Sequence, residues 1–470
     1  MALRFVIIGG GPAGHQAATY AARLGGQVTL IEKDVIGGAA HLWDCIPSKA
    51  MIATGGAMSF MHRVQGFGLD EADGHIDLAG LRERIGTITS RLEAATTELL
   101  ESQGVRMIRG TGRLKGPNQV VAETADGRIE ELEADRILIS TGSRPRIPEW
   151  AEVDGQRILT TRDAYPPPEL PRHLVVVGSG VTGVEFVHMF SSLGSQVTLI
   201  VSRQQVLPKK DAEVAAALEE NFLERGVNLL KGAKAIGIDR LTDTPDGADG
   251  PSGSGAVTGI RVRCDDGRVV EGSHALLAIG SIPNVDNVGL EAAGVQLDDR
   301  GYPVTVGHHL QTNVKHIYVA GDVSGKLPLS SVASMQGRKI AEHAMGLHTL
   351  DHRHLDYDMA ASAIFTEPEI ADVGLPEAEA FAMGRKIRVT KVPMAASPKA
   401  WINNDTRGFV KILSDPYTGV VLGGSIVGRH AAELIAVIAV AVTNRLKVAD
   451  IIDSLLVHPS LSELLADAAE

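Results

Sequence analysis

Two short loops carry the residue types and spacing that hold a phosphate. Gly9-Gly10-Gly11-Pro12-Ala13-Gly14 and Gly178-Ser179-Gly180-Val181-Thr182-Gly183 both read GxGxxG. In such a loop the first glycine makes a tight turn, the second lets the backbone approach a pyrophosphate at a helix N-terminus, and the third allows close helix packing. Glu32 stands eighteen residues after Gly14, where a carboxylate accepts hydrogen bonds from a ribose diol, and Lys33 follows it. The second loop lacks that acid: the apolar run 197–201 is followed by Ser202 and Arg203. An arginine there pairs with a 2′-phosphate, so NADPH is expected to bind, and with no repelling carboxylate NADH is accepted as well. Gly280 is grouped with this second site.

Such loops need a strand before them and a helix after them. Residues 5–8 read as a strand, 17–24 as a helix and 28–32 as a second strand, and the order recurs at 174–177, 184–193 and 197–201. Two β-α-β units imply two nucleotides. Between them lie a long helical segment at 78–103, an apolar run at 136–140 and a Pro-rich stretch at 165–171 that reads as the linker into the second unit. Residues 241–256, rich in Asp, Gly, Ser and Pro, read as an exposed mobile loop without function. After His348 come Thr/Val/Gly-rich strands and an apolar helix at 431–442, expected at an interface or in a core.

A chain of 470 residues is long enough for about three domains. Its 44% apolar and 22% charged residues, with 52 glycines, fit an α/β protein with many tight turns. The net charge of −12 argues against nucleic acid, whose phosphates need a basic face. No apolar run approaches the ~18 residues of a membrane span, and the apolar residues 5–8 pass straight into glycines with no cleavage region, so a cytoplasmic location is expected. The two cysteines, Cys45 and Cys264, sit in unrelated contexts, which fits a reducing compartment.

Three further segments run in order with the glycine loops: Gly37-Gly38-Ala39-Ala40-His41-Leu42-Trp43-Asp44-Cys45-Ile46-Pro47-Ser48-Lys49, Ile139-Ser140-Thr141-Gly142-Ser143-Arg144-Pro145 and Ile317-Tyr318-Val319-Ala320-Gly321-Asp322. On these motifs the chain resembles, from Phe5 to Glu463, the pyridine nucleotide-disulfide oxidoreductase family of flavoprotein disulfide reductases. The resemblance implies an α/β, glutathione reductase-like fold: two Rossmann-like domains for FAD and NAD(P), plus a C-terminal α+β dimerisation domain. The expected boundaries are 1–150 and 279–348 for FAD, 151–278 for NAD(P) and 349–470 for the dimer interface. It further implies that Thr141, Gly142 and Asp322 contact FAD, Asp322 through the ribityl chain. Lys49 would pair with Glu185 close to flavin N5, where hydride arrives and a cation stabilises the reduced flavin. His458, in His458-Pro459-Ser460-Leu461-Ser462-Glu463, matches a proton-transfer base oriented by Glu463 and donated across the interface of a homodimer; with no disulfide to serve, the pair either protonates a reduced acceptor or persists only as an interface hydrogen bond.

One position departs from the family. Its redox segment reads Gly-Gly-Thr-Cys before the second cysteine, and here Ala40 occupies the first cysteine's place. Alanine forms no disulfide and takes no part in thiol exchange. Cys45 keeps the position nearer the flavin, where a thiolate still serves as a charge-transfer donor. The relay from flavin to disulfide to substrate is therefore missing, and reduced flavin is expected to pass two electrons directly to a quinone or similar small acceptor, with Ala39, Ala40 and Trp43 leaving an apolar slot for it. The alternatives are a soluble NAD(P) transhydrogenase, whose family members lose the other cysteine, a single-cysteine peroxide or disulfide reductase using Cys45, and a non-enzymatic nucleotide sensor. Motifs 365–369, 373–374 and 423–428 are read as scaffold and dimer features, and Cys264 as inert. The histidines show no metal-binding spacing; His308-His309 and His352-Arg353-His354 are read as exposed loop residues.

Overall fold

The computed structural model describes residues 2–70, 74–242, 257–347 and 354–470. These divide into two compact units, Met1–Ser48 with Ala79–Arg146 and Ser281–Tyr357, and Lys49–Leu78 with Ile147–Gly280 and Asp358–Glu470.

The first unit is built on a nine-stranded sheet. Its centre is parallel, in the order Ile317–Val319, Arg136–Ile139, Arg4–Ile8, Gln27–Glu32 and Arg106–Gly116. Phe5, Ile7, Leu30, Ile137, Leu138 and Val319 are almost fully buried, because helices or further chain cover both faces of a parallel sheet and its strands read as continuous apolar runs. The first loop helix, Pro12–Arg23, packs against the helix Ser330–Ala344 through small residues: a Cβ added to Gly337 would lie 2.1 Å from the Ala13 carbonyl oxygen.

The second unit contains a five-stranded parallel sheet in the order Asn228–Lys231, Gln196–Val201, His173–Val177, His274–Leu277 and Ile158–Thr160. The strand Ile158–Thr160 corrects the linker expectation: the chain has joined this sheet before the Pro-rich stretch 165–171 begins, and a three-residue strand is too short to show periodicity. The unit also holds a five-stranded antiparallel sheet from Ser362–Ile364 to Arg388–Pro393, with the helix Ala431–Asn444 packed on it. One face of that helix is buried through Ile435, Ile438 and Ala441, while Val437 and Val440 stay exposed. Of the loop expected at 241–256, residues 241–242 end the strand Ala235–Thr242, and 243–256 lie outside the described residues.

Candidate nucleotide and redox sites

The first glycine loop places each glycine under a different constraint. Gly9 has φ +105°, and a Cβ there would lie 2.3 Å from the Ser140 oxygen; one on Gly14 would lie 1.9 Å from the Gly9 oxygen. Gly11 is different: a Cβ there meets nothing within 4 Å. Steric crowding thus accounts for Gly9 and Gly14, and the open space at Gly11, at the head of a helix with no side-chain cap, is where a pyrophosphate fits. Pro12 and Ala13 form the first turn.

Glu32 is buried and accepts from the Gly10 N–H at 2.6 Å and the Asp34 N–H at 2.7 Å. Burial raises its pKa, partly opposed by these two donors. Lys33 is exposed. Beside the loop, His15 Nδ1 is buried and has no partner among the described residues, and burial together with His41 lowers the His15 pKa to about 4. An orphaned polar atom next to a cradle with room for phosphate fits a dinucleotide such as FAD.

Thr141 and Gly142 are held by a residue that sequence reasoning missed. Asn284 donates to the Thr141 carbonyl at 2.9 Å and accepts from Thr141 Oγ1 on its own carbonyl at 2.7 Å. Asp322 accepts from Ser143 Oγ at 2.7 Å, and the preceding Gly321 N–H is fixed by buried Gln336. The contacts of Asn284 with Thr141 and of Ser143 with Asp322 join sequence segments some 140–180 positions apart, and no local pattern signals them.

The second loop repeats the logic in the other unit. A Cβ on Gly178 would lie 2.4 Å from the Ala278 oxygen and one on Gly183 1.8 Å from the Gly178 oxygen, while Gly180 faces open space. Gly280, at φ +95°, also has nothing within 4 Å of an added Cβ. Ser202 and Arg203 are exposed just past the strand Gln196–Val201.

Lys49 and Glu185 meet. Lys49 Nζ lies 2.8 Å from Glu185 Oε2, and Glu185 Oε1 accepts the Phe365 N–H at 3.0 Å. The Phe365 ring lies under the ammonium, 4.7 Å from Nζ to its centre. Motif 365–369 is therefore more than scaffold, because its first residue touches both members of the pair.

Cys45 opens the helix Cys45–Met61, with its Sγ 3.9 Å from Ser330 Oγ. Both cysteines are thiols. Cys264 is buried in a strand and burial raises its pKa, which fits an inert residue. In the short helix Gly38–Leu42, Ala39 and Ala40 are half-buried. His458 Nδ1 lies 2.7 Å from Glu463 Oε1, and Glu463 Oε2 accepts the Ser460 N–H at 3.0 Å. That N–H, with His458, holds the Glu463 carboxyl below its usual pKa. His458 is 69% exposed beside the exposed Leu455 and Val457.

Among the described residues, the group of acids close enough to share a metal ion is Asp211, Glu213 and Glu377. Lys411, 1% exposed, occupies that position: its Nζ is 2.8 Å from Asp211 and 2.9 Å from Glu377, and it also bonds Glu213. Burial alone would lower its pKa, but the three carboxylates outweigh burial and raise it.

Two dinucleotide cradles on parallel sheets, one in each unit, followed by an antiparallel C-terminal sheet, define a flavoprotein oxidoreductase of the pyridine nucleotide type. The chain belongs to the pyridine nucleotide-disulphide oxidoreductase family, whose model matches residues 3–337, with the family's dimerisation domain matching 360–469. It is 44% identical to the NAD(P)H dehydrogenase (quinone) of Mycobacterium tuberculosis, covering 100% of this chain and 94% of that protein. It is 34% identical to the dihydrolipoyl dehydrogenase of Zymomonas mobilis, covering 98% and 96%. The crystal structure of LpdA from M. tuberculosis superposes with a TM-score of 0.91 at 42% identity, covering 100% of this chain and 99% of that one. The family uses FAD and NAD(P)H, and the fold is glutathione reductase-like.

Proposed function

We propose that this chain is a cytoplasmic, homodimeric NAD(P)H dehydrogenase that passes two electrons to a quinone without a thiol relay. The observation that carries the reading is that the Lys49–Glu185–Phe365 set is intact while the redox segment has alanine at position 40. The M. tuberculosis relative, an NAD(P)H dehydrogenase (quinone), supports the same acceptor class. In this reading residues 1–150 and 279–348 hold FAD, 151–278 hold NAD(P)H and 349–470 supply the dimer face.

Bound FAD supplies a two-electron store between hydride donor and acceptor. Glu185 fixes the Lys49 ammonium, which holds positive charge where negative charge accumulates on reduction. Ser202 and Arg203 receive the adenosine 2′ position, and Gly280 leaves room for the backbone to approach the nucleotide. His458, held by Glu463, delivers a proton to the reduced acceptor, so that NAD(P)H, H⁺ and quinone give NAD(P)⁺ and quinol. Cys45 tunes the flavin and is not consumed. The small Ala39 and Ala40, with Trp43, border the acceptor's place.

A steady-state panel of NADH or NADPH against a naphthoquinone, lipoamide and glutathione disulfide tests this, with Cys45→Ser alongside. Quinone turnover should dominate and survive in Cys45→Ser. Efficient lipoamide reduction overturns the reading. Hydride exchange between NADPH and an NAD analogue faster than quinone reduction would assign a transhydrogenase, and loss of all turnover in Cys45→Ser would assign sulfenic acid chemistry.

A further inference from the structure

Two sequence segments read as separate exposed loops come together in the first unit. His308 and His309 lie between the strand pieces Thr305–Val306 and Gln311–Thr312. The ring of His354 approaches both, with centroids 4.7 Å from His308 and 5.4 Å from His309. His352 and Arg353 lie outside the described residues. Behind His309 stands His343, in the last turn of the helix Ser330–Ala344, its ring stacked on His309 at 3.9 Å and 13°. His343 Nδ1 in turn meets the hydroxyl of buried Tyr318 at 3.0 Å. The layer thus runs from the sheet core outward: Tyr318, His343, His309, His354, His308.

We propose that His308, His309 and His354 form a site for a divalent transition-metal ion of the Zn²⁺ class. Ligand chemistry selects the ion. Imidazole nitrogen suits Zn²⁺ and its late first-row neighbours, whereas Mg²⁺ and Ca²⁺ require oxygen donors. Spacing agrees. Two imidazoles that each reach one ion at about 2.0–2.1 Å put their ring centres roughly 4.5–5.2 Å apart, for angles from square to tetrahedral. The distances of 4.7 and 5.4 Å to His354 match that range or lie just outside it.

The nitrogens do not converge: no choice of one ring nitrogen from each of the three histidines brings all of them within 4.8 Å of one another. Turning exposed rings about their side-chain torsions is a fast motion that ion binding can select. His308 and His354 are exposed and give the ion a path in, while the His309 ring is held by its stack on His343. The site uses no residue of the glycine loops or the redox segment, so it adds a ligand to the protein without entering the reaction.

The test is calorimetric titration of the full-length, FAD-loaded enzyme with ZnCl₂ at pH 7.5. One equivalent per chain is expected. His354→Ala should weaken binding at least tenfold, and the triple variant with His308→Ala and His309→Ala should abolish it, with flavin content and quinone turnover unchanged. Affinity should also fall between pH 7.5 and 5.5, as protons compete for the imidazoles. Should the triple variant fail to fold, the exposed His308→Ala alone must still weaken binding. Zn²⁺ binding within twofold of wild type in the variants overturns the proposal, and so does binding that disappears in Cys45→Ser.

Discussion

Lys49 Nζ and Glu185 Oε2 lie 2.8 Å apart, and the second Glu185 oxygen is held by the Phe365 N–H, so the carboxylate cannot turn away from the ammonium. Lys49→Met is predicted to slow flavin reduction by NADPH by about 10²-fold in stopped-flow absorbance while leaving FAD bound, the scale expected when one preorganised electrostatic partner is removed. Glu185→Gln should fall between that variant and wild type, because glutamine still accepts from Lys49 but without charge.

The two glycine loops differ in what their middle glycines should disturb. A methyl at either Gly11 or Gly180 meets no protein atom, so both variants should fold. Gly11→Ala is predicted to lower the flavin content of purified protein, read as the ratio of visible to ultraviolet absorbance. Gly180→Ala should keep its flavin and raise KM for both nicotinamide nucleotides by about tenfold, as expected for roughly 1.4 kcal/mol of lost binding. If both substitutions affect flavin content alone, the assignment of the second loop fails.

Arg203, exposed beyond the strand Gln196–Val201, is the cation proposed above to receive a 2′-phosphate. Arg203→Glu should raise KM for NADPH by roughly 10–100-fold and leave KM for NADH within a few-fold, since a charged hydrogen-bonded pair contributes about 1.5–3 kcal/mol and its reversal adds repulsion. Steady-state kinetics with both donors decides this, and equal losses would remove Arg203 from the discrimination.

Stability should fall on mild acidification through buried histidines. Burial, with Arg225 adding to it, lowers the His188 pKa to about 3, and burial with Arg157 lowers that of His274 to about 4. The unfolded chain protonates both near 6.5. Between those values the unfolded state binds more protons, so stability is full above about pH 6.5 and is lost as pH falls toward 3–4. Each such histidine steepens the folding equilibrium by up to about tenfold per pH unit. Thermal midpoints measured from pH 7 to 5 should therefore decline, and His188→Gln, which retains an acceptor for Arg225, should flatten the decline.

The parts legible in the sequence were those where chemistry and spacing are local. The glycine loops, the Cys45 segment and the His458–Glu463 pair each occupy a short stretch, and each folds as one turn or one helix end. The pairing of Lys49 with Glu185 was reached only through resemblance, since 136 positions separate them. Asn284, Gln336 and the ring of Phe365 were missed because their roles arise from contacts between separate elements, which leave no periodic trace. His308 and His354 are exposed and lie outside helices and strands, as the sequence reading has them, but their proximity was not legible: the sheet edge brings ring centroids from two separate segments to 4.7 Å.

The Lys411 ammonium, enclosed by Asp211, Glu213 and Glu377, has a consequence for how this unit responds to its surroundings. Three carboxylates grouped this way ordinarily draw a cation from solution, making a fold sensitive to the calcium or magnesium around it. Here the counter-ion is encoded in the chain itself. Lys391 adds a second cation on Glu213, so the counter-charge at this position is inherited with the sequence in the form of two side chains.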